Sequence, residues 1–312
     1  MRSLCAAVAA LLIAAAPAAA DYRRLPGPAP DANLVVVDGT VYVGGGSALT
    51  AHAPDGSTRA IAMPGGMRFD WLDVTGEAAT AVAFPTSGGR VRAIYGPADG
   101  PLRTLPFPWV NADVGGPYVV VFSSRTGSVR RIDVRNGRER RFPVRGDLRQ
   151  MRADAGYFSY DTGKHIVVRR LANGRQVFRV PARGYYRLAA GGRVVTHSDS
   201  GMQVATPARP RWRTLTRVGM GSSHFDIGRD GIVIVRGDAR ASSEVTLVGW
   251  DGRLRALTPL LRGVNAVAWD GRTLAFSVGD CVFAGPVPAA GAPLPPVPAE
   301  GCVGSSNGGA GR

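Results

Sequence analysis

An apolar residue followed by proline or threonine closes a short alternating segment seven times along the chain, and no other feature restricts the fold as much. The pairs are Leu25-Pro26, Met63-Pro64, Leu105-Pro106, Phe142-Pro143, Val180-Pro181, Leu215-Thr216 and Leu257-Thr258, spaced by 38, 42, 37, 38, 35 and 42 residues. Five carry an arginine two positions ahead of the apolar anchor: Arg23, Arg103, Arg140, Arg213 and Arg255. A period of this length marks a repeat architecture, in which one small supersecondary unit is stacked many times.

Three further strand-like pieces lie between successive anchors. The first pieces run from Leu34 to Val37, Phe69 to Val74, Val110 to Val114, Arg149 to Ala155, Tyr186 to Ala190, Phe225 to Ile227 and Val264 to Trp269. The second are the most apolar, as in Tyr118-Val119-Val120-Val121-Phe122, and the third alternate, as in Val245-Thr246-Leu247-Val248. Alternation with β-branched enrichment reads as strand, because successive side chains point to opposite faces of a sheet. Asp38-Gly39, Asp55-Gly56, Asp99-Gly100, Asp230-Gly231, Asp251-Gly252 and Asp270-Gly271 supply hairpin turns, as do Asn136-Gly137 and Asn173-Gly174. No stretch beyond the leader has helical periodicity. Four short strands in each of about seven units predict an all-β propeller of seven blades, with six as the alternative. The last unit, Val264 to Pro288, lacks its anchor strand, and an orphan copy, Tyr22 to Pro26, sits at the other end of the chain. The N-terminal segment is therefore expected to supply the outer strand of the last blade and close the ring, covering an edge that would otherwise invite pairing with other chains.

Over residues 22–288 the chain resembles bacterial exported β-propellers of WD40-like and TolB-like style. The resemblance rests on the blade period and on two phrases, Gly249-Trp250-Asp251-Gly252-Arg253-Leu254 and Ala268-Trp269-Asp270-Gly271. The Trp-Asp pair occurs in only these two units, without a preceding Gly-His. What the resemblance implies is the architecture, not a reaction.

Residues 1–20 have the layout of a secretory signal peptide: Arg2, an apolar run from Leu4 to Pro17, then Ala18-Ala19-Ala20 before the polar Asp21. No later stretch holds eighteen consecutive apolar residues, so no membrane span is expected in the mature chain. The expected division is 1–20 signal peptide, 21–288 propeller and 289–312 a Pro-, Gly- and Ala-rich strap and tail. The expected location is extracellular or in the cell envelope, periplasmic where the source has two membranes. Cys281 and Cys302, the pair left after the leader, are expected to form a disulfide, stabilising by roughly 3 kcal/mol in the chain-entropy picture. Formal net charge is +15, and Lys164 is the only lysine. Outside a cell the matching anions are acidic glycans, wall polymers and lipid headgroups rather than nucleic acid. Genomic base composition also produces arginine bias, so the total alone names no partner.

Chemistry is sparse. The histidines His52, His165, His197 and His224 stand at no metal-ligand spacing, and no cofactor loop or metal motif is present. Gly304-Ser305-Ser306-Asn307-Gly308 matches a nucleophile elbow but lies in the tail, without the strand and helix that motif needs. Asp residues beside Gly read as turn formers, and carboxylates paired across a channel would be needed for glycoside hydrolysis. Loops entering the innermost strands place Arg68, Trp109, Arg149, Tyr185, Tyr186 and His224 at one mouth of a channel, and the second-to-third-strand loops add Arg125, Lys164 and Arg240. Arginine with aromatic rings suits an anionic or sugar-like ligand. The expected function is a monomeric, non-enzymatic binding or scaffolding module for an anionic cell-surface polymer or a protein. A hydrolase or lyase acting on an acidic glycan is the alternative.

Overall fold

The computed structural model describes residues 21–26, 33–87, 92–105, 111–123, 127–144, 148–198, 201–218, 225–238 and 242–302. The expected leader and most of the tail lie outside them. Seven four-stranded antiparallel sheets form a seven-bladed β-propeller. The inner strands are Asn33–Val37, Met67–Val74, Asn111–Gly115, Gln150–Asp154, Tyr186–Ala189, Phe225–Ile227 and Val264–Trp269, for blades 1 to 7 in turn. The corresponding outer strands are Thr58–Ala60, Arg103–Thr104, Glu139–Pro143, Gln176–Pro181, Arg209–Thr216, Leu254–Ala256 and, from the start of the chain, Arg23–Leu25. The one helical element among the described residues is a single turn, Ala190–Gly192.

Burial follows the blade plan. Buried apolar residues gather into seven clusters, each spanning two neighbouring blades, such as Ile166, Val168, Phe178 and Val180 of blade 4 against Tyr186, Leu188 and Val194 of blade 5. Each blade is thus held mainly by its neighbours, so the ring is only as strong as its closure. There Arg23, Arg24 and Leu25 pair with Ala284, Phe283 and Val282. Tyr22 is 3% exposed, its ring stands edge-on to Phe276 at 5.0 Å, and its hydroxyl donates to the Leu257 carbonyl of blade 6 at 2.8 Å. A Cβ at Gly285 would come within 2.7 Å of the Asp21 carbonyl, so only glycine lets the closing strand approach. Cys281 and Cys302 are joined in a disulfide, and Val287, Val297 and Ala299 of the segment between them pack on the blade 6–7 cluster.

The recurrent arginines have a structural task. Four of the five reach from the outer strand of one blade to a backbone carbonyl that follows the third strand of the next. Arg23 meets Ala53 at 2.8 Å, Arg140 meets Ala172 at 2.7 Å, Arg213 meets Trp250 at 3.2 Å, and Arg255 meets Pro288. Blade 1 departs from the sequence reading by two residues. Its buried anchor is Ile61 rather than Met63, and Arg59, two positions ahead of Ile61, donates to Asp99 at 2.5 Å. Arg103 instead lies 4.9 Å from the Tyr95 ring of its own blade. Among the turns, Asp38 and Gly39 both adopt positive φ, 48° and 78°, as a two-residue hairpin loop requires. Gly100 and Gly231 do not. At Gly231 the need is space, since a Cβ would stand 2.3 Å from the Val248 carbonyl.

Candidate functional site

The inner strands turn alternate side chains toward the axis, and on four blades one of these is an aspartate: Asp73, Asp113, Asp154 and Asp226. Each accepts the N–H of the residue that follows it, at 2.6 to 3.0 Å. Asp113 also accepts the Ala153 N–H of blade 4, and Asp226 the Trp269 N–H of blade 7, both at 2.9 Å. These two carboxylates therefore fasten neighbouring inner strands and have two strong donors each. Arg152 and Arg187 stand among the acids, each guanidinium 5.1 Å from the Trp71 ring. With Trp269 they line a cavity of about 290 Å³ on the channel axis.

Low solvent contact sets the protonation of this group. Burial, then the neighbouring charge of Asp113, pushes Asp73 well above the ordinary carboxylate range, and it shares a hydrogen bond with Asp113. Burial raises Asp154 to about 6, against one opposing N–H from Ala155. Burial raises Asp226 as well, with Arg187 and two backbone N–H groups pulling the other way. Burial works against the charge of Arg152, yet Asp113 and Tyr185 outweigh it and its pKa is raised.

A second concavity, about 680 Å³, opens over blades 4 and 5, and Arg149, Arg152, Asp161 and Tyr185 contribute its polar walls. Arg152 belongs to both cavities: its Nη2 donates to the Tyr185 hydroxyl at 3.1 Å while its guanidinium also faces Trp71. Tyr185, 37% exposed, packs edge-on to His197 and Phe225 at 5.9 and 6.4 Å between centroids.

The sequence-chosen residues fall in different places. Arg149 and Tyr185 come together in the groove, with exposed Lys164 beside Gly163 in the same turn. Arg68 is exposed at the start of the blade 2 inner strand and lines neither cavity. Tyr186 is fully buried between blades 4 and 5, where its hydroxyl meets Ser159 Oγ at 3.2 Å. Trp109, His224, Arg125 and Arg240 lie outside the described residues. Sequence reading passed over Trp71, Asp73, Asp113, Arg152, Asp154 and Arg187. A signal existed: Asp73-Val74, Asp113-Val114, Asp154-Ala155 and Asp226-Ile227 place a strand-averse residue before an apolar one instead of before a turn glycine. Among the described residues, the one His/Cys/Asp/Glu group compact enough to share an ion is Asp280, Cys281 and Cys302, and its sulfurs are bonded to each other.

Blade boundaries also reveal where the charge sits. Residues 111–218, from the start of blade 3 to the end of blade 5, contain 22 Lys and Arg against seven Asp and Glu, a net +15. The rest of the chain holds 16 of each and is neutral. The entire excess is therefore on three adjacent blades, the sector that includes the groove.

No protein-family model matches the chain, and no curated protein does. Solved structures do match. U3-55K superposes with a TM-score of 0.59 at 13% identity, covering 85% of this chain and 98% of that one. Virginiamycin B lyase from Staphylococcus aureus gives 0.56 at 10%, covering 86% and 100%. PorZ, a bacterial surface component of the type-IX secretion system of Porphyromonas gingivalis, gives 0.53 at 10%, covering 86% of this chain and 39% of its own. At such identities these likenesses establish the class, a β-propeller, and nothing of its activity.

Proposed function

We propose that the chain is an exported, monomeric propeller that binds an acidic cell-envelope polymer along blades 3 to 5, with the Arg149–Arg152–Tyr185 groove as the contact that orients it. One observation carries the reading: the whole charge excess falls on that sector while four blades are neutral. A uniform arginine bias would load all blades alike. Guanidinium groups give paired, charge-assisted hydrogen bonds to carboxylates or sulfates, and the exposed Tyr185 ring offers a stacking face. The apolar run from Leu4 to Pro17 and the Cys281–Cys302 disulfide support export, because such bonds persist in oxidising compartments. Among the described residues no helix is long and apolar enough to cross a membrane.

The test is binding of the mature protein to a soluble polyuronate and to a neutral glucan at low and physiological salt. The polyuronate should bind with an affinity that falls steeply with salt, and the glucan should not bind through the same sector. Equal binding of both polymers, independent of salt, would remove the proposal.

A second reading, a hydrolase or lyase on an acidic glycan, is favoured by Asp154. Its raised pKa suits a proton donor near neutral pH, and its buried Oδ2 has no hydrogen-bond partner among the described residues. New chain ends released from polyuronate by the parent protein, and none by Asp154→Asn, would favour it over simple binding.

A further inference from the structure

We infer that the groove is specific for a sugar acid, a deepening that rests on the polymer-binding reading: Arg149 takes the planar carboxylate of a uronate residue, and Asp161 takes a hydroxyl beside it. Arg149 is seated for such a task. Its backbone N–H donates to the Asp161 carbonyl at 2.9 Å, and its guanidinium lies across Gly163. A Cβ on Gly163 would stand 2.8 Å from Nε, 2.9 Å from Cζ and 3.1 Å from Nη2. Gly163 has a φ of 82°, and its N–H donates to Asp161 Oδ1 at 2.6 Å. Glycine is therefore required twice, for the turn and for the space. Arg149 and Asp161 meet Gly163 from two sides, yet no ion pair joins them. Among the described residues the Arg149 guanidinium has no hydrogen bond or ion pair, and Asp161 Oδ2 has no donor. Neither is closed off from solvent, and both residues line the groove. The half-buried amides of Asn111 and Gln150 line it too, also without side-chain partners among the described residues.

These open groups sort the anions that could enter. The two oxygens of a planar carboxylate match one edge of a guanidinium and use both of its bonds there. A sulfate or phosphate keeps a third oxygen, an acceptor that would meet the Asp161 carboxylate just across Gly163. Asp161 Oδ2 needs a donor, which a hydroxyl supplies and a polyphosphate does not. The amides of Asn111 and Gln150 both donate and accept, and that again answers hydroxyls. Tyr185 presents its ring to the C–H face of a pyranose, its hydroxyl already accepting from Arg152. At about 680 Å³ the groove lies within the usual range of ligand sites and holds a sugar residue together with its chain neighbours.

The experiment is calorimetry on the mature protein, at one ionic strength, with trigalacturonate, a short dextran sulfate, tripolyphosphate and a short polyacrylate of similar charge. The polyacrylate has carboxylates and no hydroxyls. Each variant is first checked for an unchanged melting transition. The parent should bind trigalacturonate at least fivefold more tightly than any of the other three. Arg149→Lys keeps the charge and loses the fork, so it should erase that preference. Asp161→Asn removes a negative charge, and attraction by charge alone would then tighten every anion. It should instead weaken trigalacturonate at least threefold while tightening dextran sulfate. Gly163→Ala should unseat Arg149 and weaken trigalacturonate about tenfold, whereas Arg262→Ala, on a neutral blade, should change nothing. Gln150→Ala, with an expected two- to threefold loss, replaces either turn variant that fails to fold. Equal affinity of the parent for all four anions, an unchanged preference in Arg149→Lys, or tighter trigalacturonate binding by Asp161→Asn would each overturn the inference. Salt-sensitive binding of polyuronate without preference for it would remove this inference alone, and no binding of any polyanion would remove the groove reading with it.

Discussion

Blades 3 to 5 and the other four blades share one strand plan, and their arginines show how differently it can be dressed. In the neutral blades the recurrent arginines Arg23, Arg59 and Arg255 each cap a carbonyl of the next blade. Blades 3 and 5 keep that use in Arg140 and Arg213, but add a surplus, among them exposed Arg138, Arg175, Arg179, Arg211 and Arg217. This inter-blade staple explains one periodic arginine on each of five blades. It cannot explain 22 cations in three blades, and that surplus is what the proposed polymer-binding sector rests on.

The comparison can be broken first at the seam, where the effect should be largest. Deleting residues 22–26 removes the closing strand and unburies Tyr22 and Leu25, worth about 1.5–3 kcal/mol each. With the lost pairing to Cys281–Pro286, thermal melting should show a fall on the order of 5 kcal/mol or failure to fold. An unchanged melting temperature would mean the ring does not depend on its N-terminal strand.

A smaller effect is expected on the axis. Asp154 has a pKa of about 6 in the folded protein against an ordinary 3.8, so the native state holds the extra proton between those values. Its contribution to stability is present below about pH 4 and is lost as pH rises toward 6. Asp154→Asn should therefore exceed the parent above pH 6, by up to about 3 kcal/mol, and match it near pH 4. Asp73 and Asp226 are shifted in the same direction. A variant less stable than the parent at pH 8 would contradict the burial argument.

The surplus arginines should matter for binding and little for folding. Reversing Arg179, Arg211 and Arg217 to Glu should weaken polyuronate binding at least tenfold at low salt, whereas the same change at Arg24, Arg262 and Arg272 should cost less than threefold. Smallest of all, Arg140→Ala should lower stability by about 1 kcal/mol, for one inter-blade hydrogen bond, and Arg211→Ala by less than about 0.5. Equal losses would erase the distinction between staple and surplus.

Much of the ring was legible because its anchors obey burial. Leu25, Leu105, Phe142, Val180, Leu215 and Leu257 all sit in blade interfaces, and the orphan strand at Tyr22 finds its place against Cys281–Pro286. The slip from Ile61 to Met63 arose because Pro64 completes the phrase while Ile61 supplies the buried contact. The site was harder to read. Tyr185 and Tyr186 are neighbours in sequence, and strand geometry sends one to the groove and the other to the core, which only register decides. The axial aspartates precede apolar residues rather than turn glycines, and what gathers them is the convergence of inner strands from different blades, which sequence spacing does not display. The charged sector had no visible edge until residues 111 and 218 became blade boundaries.

Arginine-selective chemical modification with phenylglyoxal, read by mass spectrometry with and without polyuronate, tests the binding sector most directly. Exposed arginines between residues 111 and 218 should be protected by the polymer, Arg149 most of all, while Arg24, Arg262 and Arg272 react as before. Protection spread evenly over all seven blades, or absent from blades 3 to 5, would contradict the account.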